Sequence, residues 1–189
     1  PSEQAMVVWL TGLSGSGKST LAKEVYAQAQ NDVENLVLLD GDILRDVFGG
    51  DLGHSVSDRK RNSDRICGVC KLLDDQGFHV VCAILSIFSE SRSWNRTNLS
   101  SYYEVFIDAS FESLVARDGK GLYRAALAGK ERDVVGVDIP FAPPSEPDLI
   151  IENNGVMREM VREVQSYETK GLLGVPSIRE IYFDSAWRV

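Results

Sequence analysis

The chain has 189 residues, of which 43% are hydrophobic and 25% are charged, and its formal net charge is −8 at pH 7. This length suits one folded domain, and this composition excludes the fibrous and intrinsically disordered classes. The negative charge also argues against a nucleic acid polymer as partner, so we expect a small anionic ligand bound by a local basic cluster.

Short β-rich runs alternate with segments of helical period. Strands are predicted at residues 6–10, 36–40, 79–85, 102–108 and 148–152, and helices at residues 19–30, 57–76, 89–97, 110–118 and 156–169. Apolar runs with little alternation are typical of strands that are buried on both faces. The pattern therefore predicts a three-layer α/β domain, in which helices cover both faces of a parallel sheet.

Two segments interrupt this alternation. Residues 119–147 hold four of the six prolines, and a compact domain seldom carries so long a connection unless it is functional, so we interpret it as a lid; a surface excursion is the alternative. Residues 171–189 carry several large apolar side chains, which we expect to pack on the domain or on a second copy of it. We assign residues 1–170 to one domain and the remainder to a C-terminal tail.

The cysteines and the apolar segments give information about the cellular location of the protein. Cys67, Cys70 and Cys82 are odd in number and show no disulfide spacing, which fits a reducing compartment. Cys67 and Cys70 could ligate zinc, but there is no second ligand pair, so packing in the core is favoured. With no apolar leader and no run near the roughly 18 residues of a membrane span, we expect a cytoplasmic protein without a membrane partner.

Residues 12–20, GLSGSGKST, follow the first predicted strand and open a helix. The glycines let backbone amides turn onto phosphate oxygens at a helix N-terminus. Lys18 is expected to reach the β and γ phosphates and to act in catalysis, and Ser19 is expected to hold Mg²⁺. The residues expected to contact the nucleotide are Gly12, Ser14, Gly15, Ser16, Gly17, Lys18, Ser19 and Thr20. The motif alone leaves a kinase, an ATPase and a GTPase open.

Two carboxylates follow the second predicted strand, in the sequence LDGD. Asp40 and Asp42 are delivered to the carboxyl edge of the sheet, where open α/β folds bind ligands. A plain DG turn is the alternative interpretation. Beside a phosphate loop, one carboxylate suits hydrated Mg²⁺ and the other suits a hydrogen bond from an attacking hydroxyl, and we favour Asp42 as the base.

A basic stretch after these carboxylates suits an anionic acceptor. Arg45 lies three residues beyond Asp42, and Ser55 or Ser57 could cap the next helix. Arg59 and Asn62 share a face of that helix. A cation and an amide near a helix N-terminus suit a phosphate and a base or ribose. A solvated basic face is the alternative, and we assign Lys60 and Arg61 to it.

Several segments together resemble the adenylyl-sulfate kinases, which phosphorylate the ribose 3′-hydroxyl of adenylyl sulfate with ATP. They are GLSGSGKST, LDGDILR, DLGHSVSDRKRN, RDGKGLY with the following Ala128 and Gly129, and DIPFAPPSEPDLII, in the family's order over roughly residues 5–165. The resemblance implies a P-loop kinase fold with a lid segment, the use of ATP and Mg²⁺, and a homodimer.

The resemblance also implies roles for individual residues. Asp42 would serve as base, Arg45, Arg59 and Asn62 would bind the acceptor nucleotide, the backbone near Leu85 and Ser86 would read its base, and Lys120 and Phe141 would close from the lid. The full set expected on the acceptor side is Asp40, Asp42, Arg45, His54, Arg59, Asn62, Leu85, Ser86, Lys120 and Phe141.

This chain departs from the family's pattern around the acceptor's base. His54 stands where the family usually has a ring that sandwiches adenine with the ring at Phe141, and imidazole stacks with less area. Ser86-Ile87-Phe88 stands where the family has Ser-Pro-aromatic, and SESRSWNR follows in place of the usual arginine-bearing continuation. The pattern is similar to a divergent group in polysaccharide biosynthesis, one member of which acts on cytidine diphosphoramidate. Adenylyl sulfate is the favoured acceptor, and cytidine diphosphoramidate is the alternative.

A nucleotide-responsive binding protein without catalysis is a hypothesis of another class. Lys18, Ser19, Asp40 and Asp42 favour the enzyme, because a silent homologue need not keep them.

Overall fold

The computed structural model describes residues 4–31 and 33–155. Its centre is a five-stranded parallel sheet in the order β2-β3-β1-β4-β5. The strands are β1 (Val7–Thr11), β2 (Leu36–Asp40), β3 (His79–Ala83), β4 (Tyr102–Asp108) and β5 (Leu149–Glu152). The helices are α1 (Lys18–Ala29), α2 (Gly41–Val47), α3 (Val56–Asp75), α4 (Ser89–Asn98), α5 (Phe111–Ala116) and α6 (Leu122–Leu127). The helix predicted at residues 156–169 and the tail from residue 171 lie outside the described residues.

Two apolar cores lie on the two faces of the sheet. On one face, Leu21 and Val25 of α1 pack with Val8 and its neighbours. On the other, Ile66 of α3 packs with Trp9. Burial of apolar side chains on both faces is the main favourable term in such a domain. The predicted parallel sheet with helices on both faces is confirmed.

The cysteines belong to the second core. Cys67, Cys70 and Cys82 are buried and free of disulfides, and burial raises the pKa of Cys67 to about 12. Within residues 4–31 and 33–155, no group of three or more histidine, cysteine, aspartate or glutamate side chains is arranged to hold a metal ion. Core packing, the favoured interpretation of the CxxC pair, is confirmed.

Capping residues begin two helices where the sequence places them. The Ser55 hydroxyl accepts from the Asp58 amide at 3.2 Å at the start of α3, and Ser110 caps α5 in the same way. A hydroxyl at this position satisfies an amide that has no partner within the helix. The cap of α3 fixes the start of the helix that carries Arg59 and Asn62.

The carboxyl edge of the sheet gathers the segments that bear the site. Strand β1 ends at Thr11 and runs into the phosphate loop, while β2 ends at Asp40, whose partner in register is Ala83 of β3. Three neighbouring strands therefore deliver their following residues to one side of the domain. In the part of the chain that the structure describes, no helix has the length and hydropathy that a membrane span would need.

Residues 119–147 are anchored at several points. Within them, α6 contributes to a third apolar cluster in which Tyr123 and Val134 pack with Leu114. The Tyr123 hydroxyl donates to the carbonyl of Ser14 in the phosphate loop at 2.7 Å. This side of the segment is therefore fixed to the loop, and the exposed stretch around residues 129–133 is free of such packing.

Candidate active site

The phosphate loop depends on glycine for its shape. Gly15 and Gly17 have φ of 77° and 105°, in the left-handed region that side chains avoid. At Gly12, with φ of 151°, an added Cβ would lie 2.5 Å from the carbonyl oxygen of Ile107. The loop then passes directly into α1, whose N-cap is Gly17. Backbone amides at a helix N-terminus form a cradle that suits phosphate oxygens.

Lys18 is held within the same loop. Its ammonium donates to the carbonyl oxygen of Leu13 at 2.7 Å. Burial lowers the pKa of Lys18 to about 8, against the opposing effect of the Asp42 and Asp40 charges. The pKa of this amine is thus close to neutral pH, and a phosphate beside the amine would favour its charged form.

Ser19 and Asp40 meet at the entrance to the loop. The Ser19 hydroxyl donates to Asp40 Oδ2 at 2.6 Å. The other oxygen of Asp40 accepts from the amides of Asp42 at 2.9 Å and Ile43 at 3.4 Å, which begins α2. A hydroxyl and a carboxylate beside a phosphate cradle are the oxygen ligands that hydrated Mg²⁺ prefers, so these residues fit that ion.

Asp42 projects from the start of α2 into the open cleft. Its side chain is 87% exposed, and the ammonium of Lys120, itself 85% exposed, lies 4.0 Å from Asp42 Oδ2. An ion pair this exposed contributes little to stability. The contact does bring a residue of the predicted lid to the predicted base, and the carboxylate stays accessible to a substrate hydroxyl.

Arg45 is fixed by carbonyl oxygens of the following loop. One guanidinium nitrogen donates to Leu52 at 3.1 Å and to Gly53 at 2.6 Å. These neutral acceptors orient the guanidinium and leave its charge uncompensated. The loop of residues 52–54 therefore serves to aim this arginine.

Arg59 is fixed in the same manner, by carbonyls on both sides of the cleft. Its Nε donates to His54 at 2.8 Å and its NH2 group donates to Asp133 of the predicted lid at 2.8 Å. Burial, followed by the nearby charge of Arg45, lowers the pKa of Arg59. Neither guanidinium forms an ion pair with a carboxylate among the described residues. Two neighbouring cations held by carbonyls are a receptor for an anion.

His54 and Asn62 flank these arginines. His54 is largely exposed, and partial desolvation followed by the charges of Arg45 and Arg59 lowers the pKa of its imidazole. A neutral ring beside two cations suits stacking on a base. Asn62 is only 5% exposed, on the inner side of α3. Lys60 and Arg61 instead pair with acidic side chains on the helix surface.

The remaining predicted residues lie beside strands β3 and β4. Leu85 and Ser86 follow β3; Leu85 is half-buried and Ser86 is fully buried. Phe141 lies against Phe106, with ring centroids 6.1 Å apart. The structure thus brings the phosphate loop, Asp42, the two arginines and Lys120 around one cleft. The assigned roles stay predictions.

Sequence reasoning missed two features that shape this cleft. The carboxylate of Asp138 accepts from the amides of Asp133 and Val134, both at 2.6 Å, in a turn where Asp133 has φ of 60°. This turn presents the Asp133 carbonyl to Arg59. The other feature is a buried ion pair of Glu104, and a carboxylate in the apolar run YYEVFID is a signal that could have pointed to it.

Comparisons with known proteins agree with this geometry. A model of the family described as adenylylsulphate kinase matches residues 4–152. A cytidine diphosphoramidate kinase of Campylobacter jejuni is 42% identical over 151 residues, covering 78% of this chain and 86% of that protein. An adenylyl-sulfate kinase of Deinococcus deserti is 41% identical over 150 residues, covering 79% and 83%.

Solved structures extend the comparison to the fold. The Mycobacterium tuberculosis APS kinase CysC, in complex with AMPPNP and APS, superposes with a TM-score of 0.77 at 35% sequence identity. The match covers 91% of this chain and 99% of that one. The similarity in fold and the similarity in sequence therefore indicate the same family of kinases.

Proposed function

Because the chain belongs to the adenylyl-sulfate kinase family, we propose that it transfers the γ-phosphoryl group of ATP to the ribose 3′-hydroxyl of adenylyl sulfate. The observation that carries the proposal is the pair of guanidinium groups, Arg45 and Arg59, that carbonyls hold beside the exposed carboxylate of Asp42. An acceptor with an anionic 5′ chain and a nearby ribose hydroxyl matches that arrangement.

On the donor side, the chain supplies charge and position. The amides of residues 12–17 and the ammonium of Lys18 hold the β and γ phosphates. Ser19 and Asp40 are the residues that would hold Mg²⁺, which, when bound, neutralises charge on the transferred phosphoryl group. The lowered pKa of Lys18 rises when phosphate binds, since a neighbouring negative charge favours the ammonium.

The reaction is an in-line displacement at phosphorus. The 3′-hydroxyl oxygen forms the new bond to the γ phosphorus, and the bond from that phosphorus to the β–γ bridging oxygen breaks. The hydroxyl proton passes to the Asp42 carboxylate, and the electron pair of the broken bond leaves with ADP. The products are ADP and 3′-phosphoadenylyl sulfate.

The predicted lid completes the site. Lys120 lies 4.0 Å from Asp42, so its charge can orient the base and meet the anionic substrates. Phe141 and His54 would enclose the acceptor's base, and the backbone near Leu85 would read it. A cytoplasmic homodimer is part of the same proposal, and equilibrium sedimentation of the full chain tests the dimer.

Cytidine diphosphoramidate is the second candidate acceptor. Two observations favour it: the relative from Campylobacter jejuni with that name is 42% identical, and His54 and Ile87 depart from the adenine-binding pattern. This acceptor resembles adenylyl sulfate in having a nucleoside 5′-diphosphate-like chain that ends in a small group, but its base is a pyrimidine. Both candidates place a ribose 3′-hydroxyl at Asp42, so the chemistry of the step is shared.

A panel of acceptors tests the proposal. The full chain is incubated with ATP and Mg²⁺ and with adenylyl sulfate, cytidine diphosphoramidate, AMP or CDP, and the products are identified by mass. We expect adenylyl sulfate to give a 3′-phosphorylated product with the highest kcat/KM of the panel. A higher kcat/KM for cytidine diphosphoramidate would transfer the proposal to the second candidate.

The same panel tests the hypothesis of a silent binding protein. Tight ATP binding, measured by calorimetry, with no acceptor converted would favour a nucleotide-responsive module. Asp42→Asn, which keeps the phosphate loop, is the matched control for contaminating kinases, since it should bind ATP and lack turnover.

A further inference from the structure

Residues 84–88, which we call the β3 exit segment, border the acceptor side of the cleft. A Cβ added at Gly41, the first residue of α2, would lie 3.3 Å from the side chain of Ile84. At the other end, the Phe88 ring centroid lies 5.8 Å from the ammonium of Lys60 on α3. The segment therefore runs between the helix that bears Asp42 and the helix that bears Arg59.

The middle of this segment is fixed through its backbone. Ser86 is fully buried, and its amide donates to the hydroxyl of Thr11 at 3.3 Å. Its carbonyl accepts from the NH1 group of Arg92 at 3.1 Å. Thr11 immediately precedes the phosphate loop, and Arg92 lies on α4. The Ser86 peptide is thus tied to both the donor side and the helix behind the acceptor side.

Arg92 is itself held by a buried carboxylate. The side chain of Arg92 is 9% exposed and that of Glu104 is 3% exposed, and Nε lies 3.1 Å from Oε1. The other oxygen of Glu104 pairs with Arg96 at 3.2 Å. Asp148 in turn accepts from Arg96 at 3.0 Å and from the Glu104 amide at 2.7 Å. The guanidinium of Arg92 therefore has a fixed direction.

Stability is a weak explanation for such a pair. Removing two charges from water costs several kcal/mol, and well-packed apolar residues often replace a buried pair without loss. What an apolar pair cannot do is donate a directed hydrogen bond to the Ser86 carbonyl. Nε of Arg92 lies beside the Glu104 carboxylate, and its NH1 group donates to the Ser86 carbonyl of the β3 exit segment.

We propose that Arg92 is a positioning residue for acceptor recognition, which uses its pairing with Glu104 to hold the β3 exit segment as the wall of the acceptor's base site. This inference rests on the proposed function, because it assigns the segment to the acceptor. Arg92 touches no substrate and acts through Ser86. The effect should fall on acceptor binding and leave ATP binding unchanged.

The test compares Arg92→Lys with Arg96→Lys in the full chain. Both variants perturb the pairing of Glu104, but only Arg92 bonds to Ser86. Arg92→Lys should raise the KM for the acceptor by about 10- to 100-fold, with kcat and the KM for ATP within about twofold, since a small displacement of a positioning group has effects of this size. Arg96→Lys should change the acceptor KM by less than about threefold.

A second readout works without turnover. Hydrogen exchange of the peptide covering residues 84–88 should be faster in Arg92→Lys and unchanged in Arg96→Lys. An equal rise of acceptor KM in both variants, or unchanged exchange in Arg92→Lys, would overturn the inference. If no acceptor in the panel is converted by the wild-type chain, the proposed function fails, and the exchange comparison alone decides whether Arg92 holds the segment.

A double variant separates positioning from folding. Arg92→Met alone removes one of the two arginines that pair with the buried Glu104 carboxylate. It is therefore combined with Glu104→Gln, and Arg96 remains paired with Asp148. We expect the double variant to unfold at nearly the wild-type urea concentration while the acceptor KM stays raised. Recovery of the acceptor KM together with stability would show that the pair only supports the fold.

Discussion

In the proposed function, the donor half of the cleft positions backbone groups, whereas the acceptor half positions side chains. Residues 12–17 form the phosphate cradle from one contiguous turn, and at Gly12 even a single added carbon would meet the backbone. The acceptor half takes Asp42 and Arg45 from α2 and Arg59 from α3, and the carbonyl of Asp133 in the predicted lid helps to hold Arg59. The donor half is therefore intolerant of substitution in a few adjacent positions, and the acceptor half can be altered one side chain at a time.

This difference explains how one family can serve several acceptors. Under the proposed function, the phosphate loop and Asp42 perform the same transfer whatever base is bound. Under the same proposal, discrimination between bases depends on residues such as His54 and on the β3 exit segment, whose bond toward the donor side runs from Ser86 to Thr11, just before the cradle. Substrate specificity can change there while the transfer machinery stays intact.

Asp42→Asn is expected to have the largest effect. Loss of the base should lower kcat by about 10²- to 10⁴-fold, while ATP affinity, measured by calorimetry, stays unchanged because the phosphate loop is intact. Asp46→Asn is the matched control, since Asp46 is exposed on the same helix. Turnover retained in Asp42→Asn would remove this residue from the role of base.

Arg59→Ala should weaken the acceptor half alone. Hydrogen bonds to a charged group contribute about 1.5 to 3 kcal/mol, so the acceptor KM should rise about 10- to 150-fold with the KM for ATP unchanged. Arg61→Ala is the control, because Arg61 is 62% exposed two residues further along α3. An equal rise of the acceptor KM in the two variants would mean that the acceptor is attracted by general positive charge and not by a hydrogen-bonding guanidinium at position 59.

Gly12→Ala should damage the donor half alone. A side chain at φ of 151° facing the Ile107 carbonyl is strained, and we expect urea unfolding to report a loss of about 1 to 3 kcal/mol with a raised KM for ATP. Gly68→Ala on α3 is the control, because a Cβ there meets nothing within 4 Å. Alanine in that helix should stabilise the chain by about 0.5 to 1 kcal/mol.

The pH dependence should differ between the halves. Lys18, with its pKa lowered to about 8, carries its proton below that pH and loses it above. The kcat/KM for ATP should therefore fall about tenfold per pH unit above about pH 8. At saturating ATP, the kcat/KM for the acceptor should not fall above about pH 8. Bound phosphate keeps Lys18 charged, and arginine side chains do not titrate in this pH range. The same decrease above about pH 8 in both kcat/KM profiles would contradict the assignment of this pH dependence to Lys18.

His54→Phe should have the smallest effect and the most selective one. A larger ring is expected to improve stacking on adenine by about 0.5 to 1.5 kcal/mol, which raises the ratio of kcat/KM for adenylyl sulfate over cytidine diphosphoramidate about 2- to 10-fold. His54→Leu, apolar but without a ring, controls for hydrophobicity. An unchanged ratio in His54→Phe would place base selection elsewhere, with the β3 exit segment as the next candidate.

The fold was predictable because its signals are local. Apolar runs with little alternation predicted the strands, and of the two predicted cap candidates, Ser55 and Ser57, Ser55 caps α3. The short helix α6 was missed, because its pattern lies inside a segment with many prolines and glycines. Its place depends on Tyr123, which packs in a distant cluster and donates to Ser14, and no local pattern specifies such a contact.

The site was predictable only in part. The motif at residues 12–20 specified the cradle, since its chemistry is the backbone's own. The orientation of Arg45 and Arg59 was not predictable, because the carbonyls that hold them come from a loop and from a turn with a positive φ at Asp133. The ion pair of Glu104 was missed; a carboxylate in an apolar strand could have indicated a buried partner, but only the structure identifies that partner as Arg92.

The strand order has a consequence for biosynthesis. β1 takes both its partners from residues made much later, with Val7 facing Val80 and Tyr102, and β2 pairs with β3. Every pairing in the described sheet thus includes a residue at or beyond position 79. At about 5 to 20 residues per second, the strand that leads into the phosphate loop waits about 4 to 15 seconds for its first neighbour. A nascent chain stalled before residue 79 can form none of these pairings, so its apolar VVWLT stays without its neighbours in the sheet.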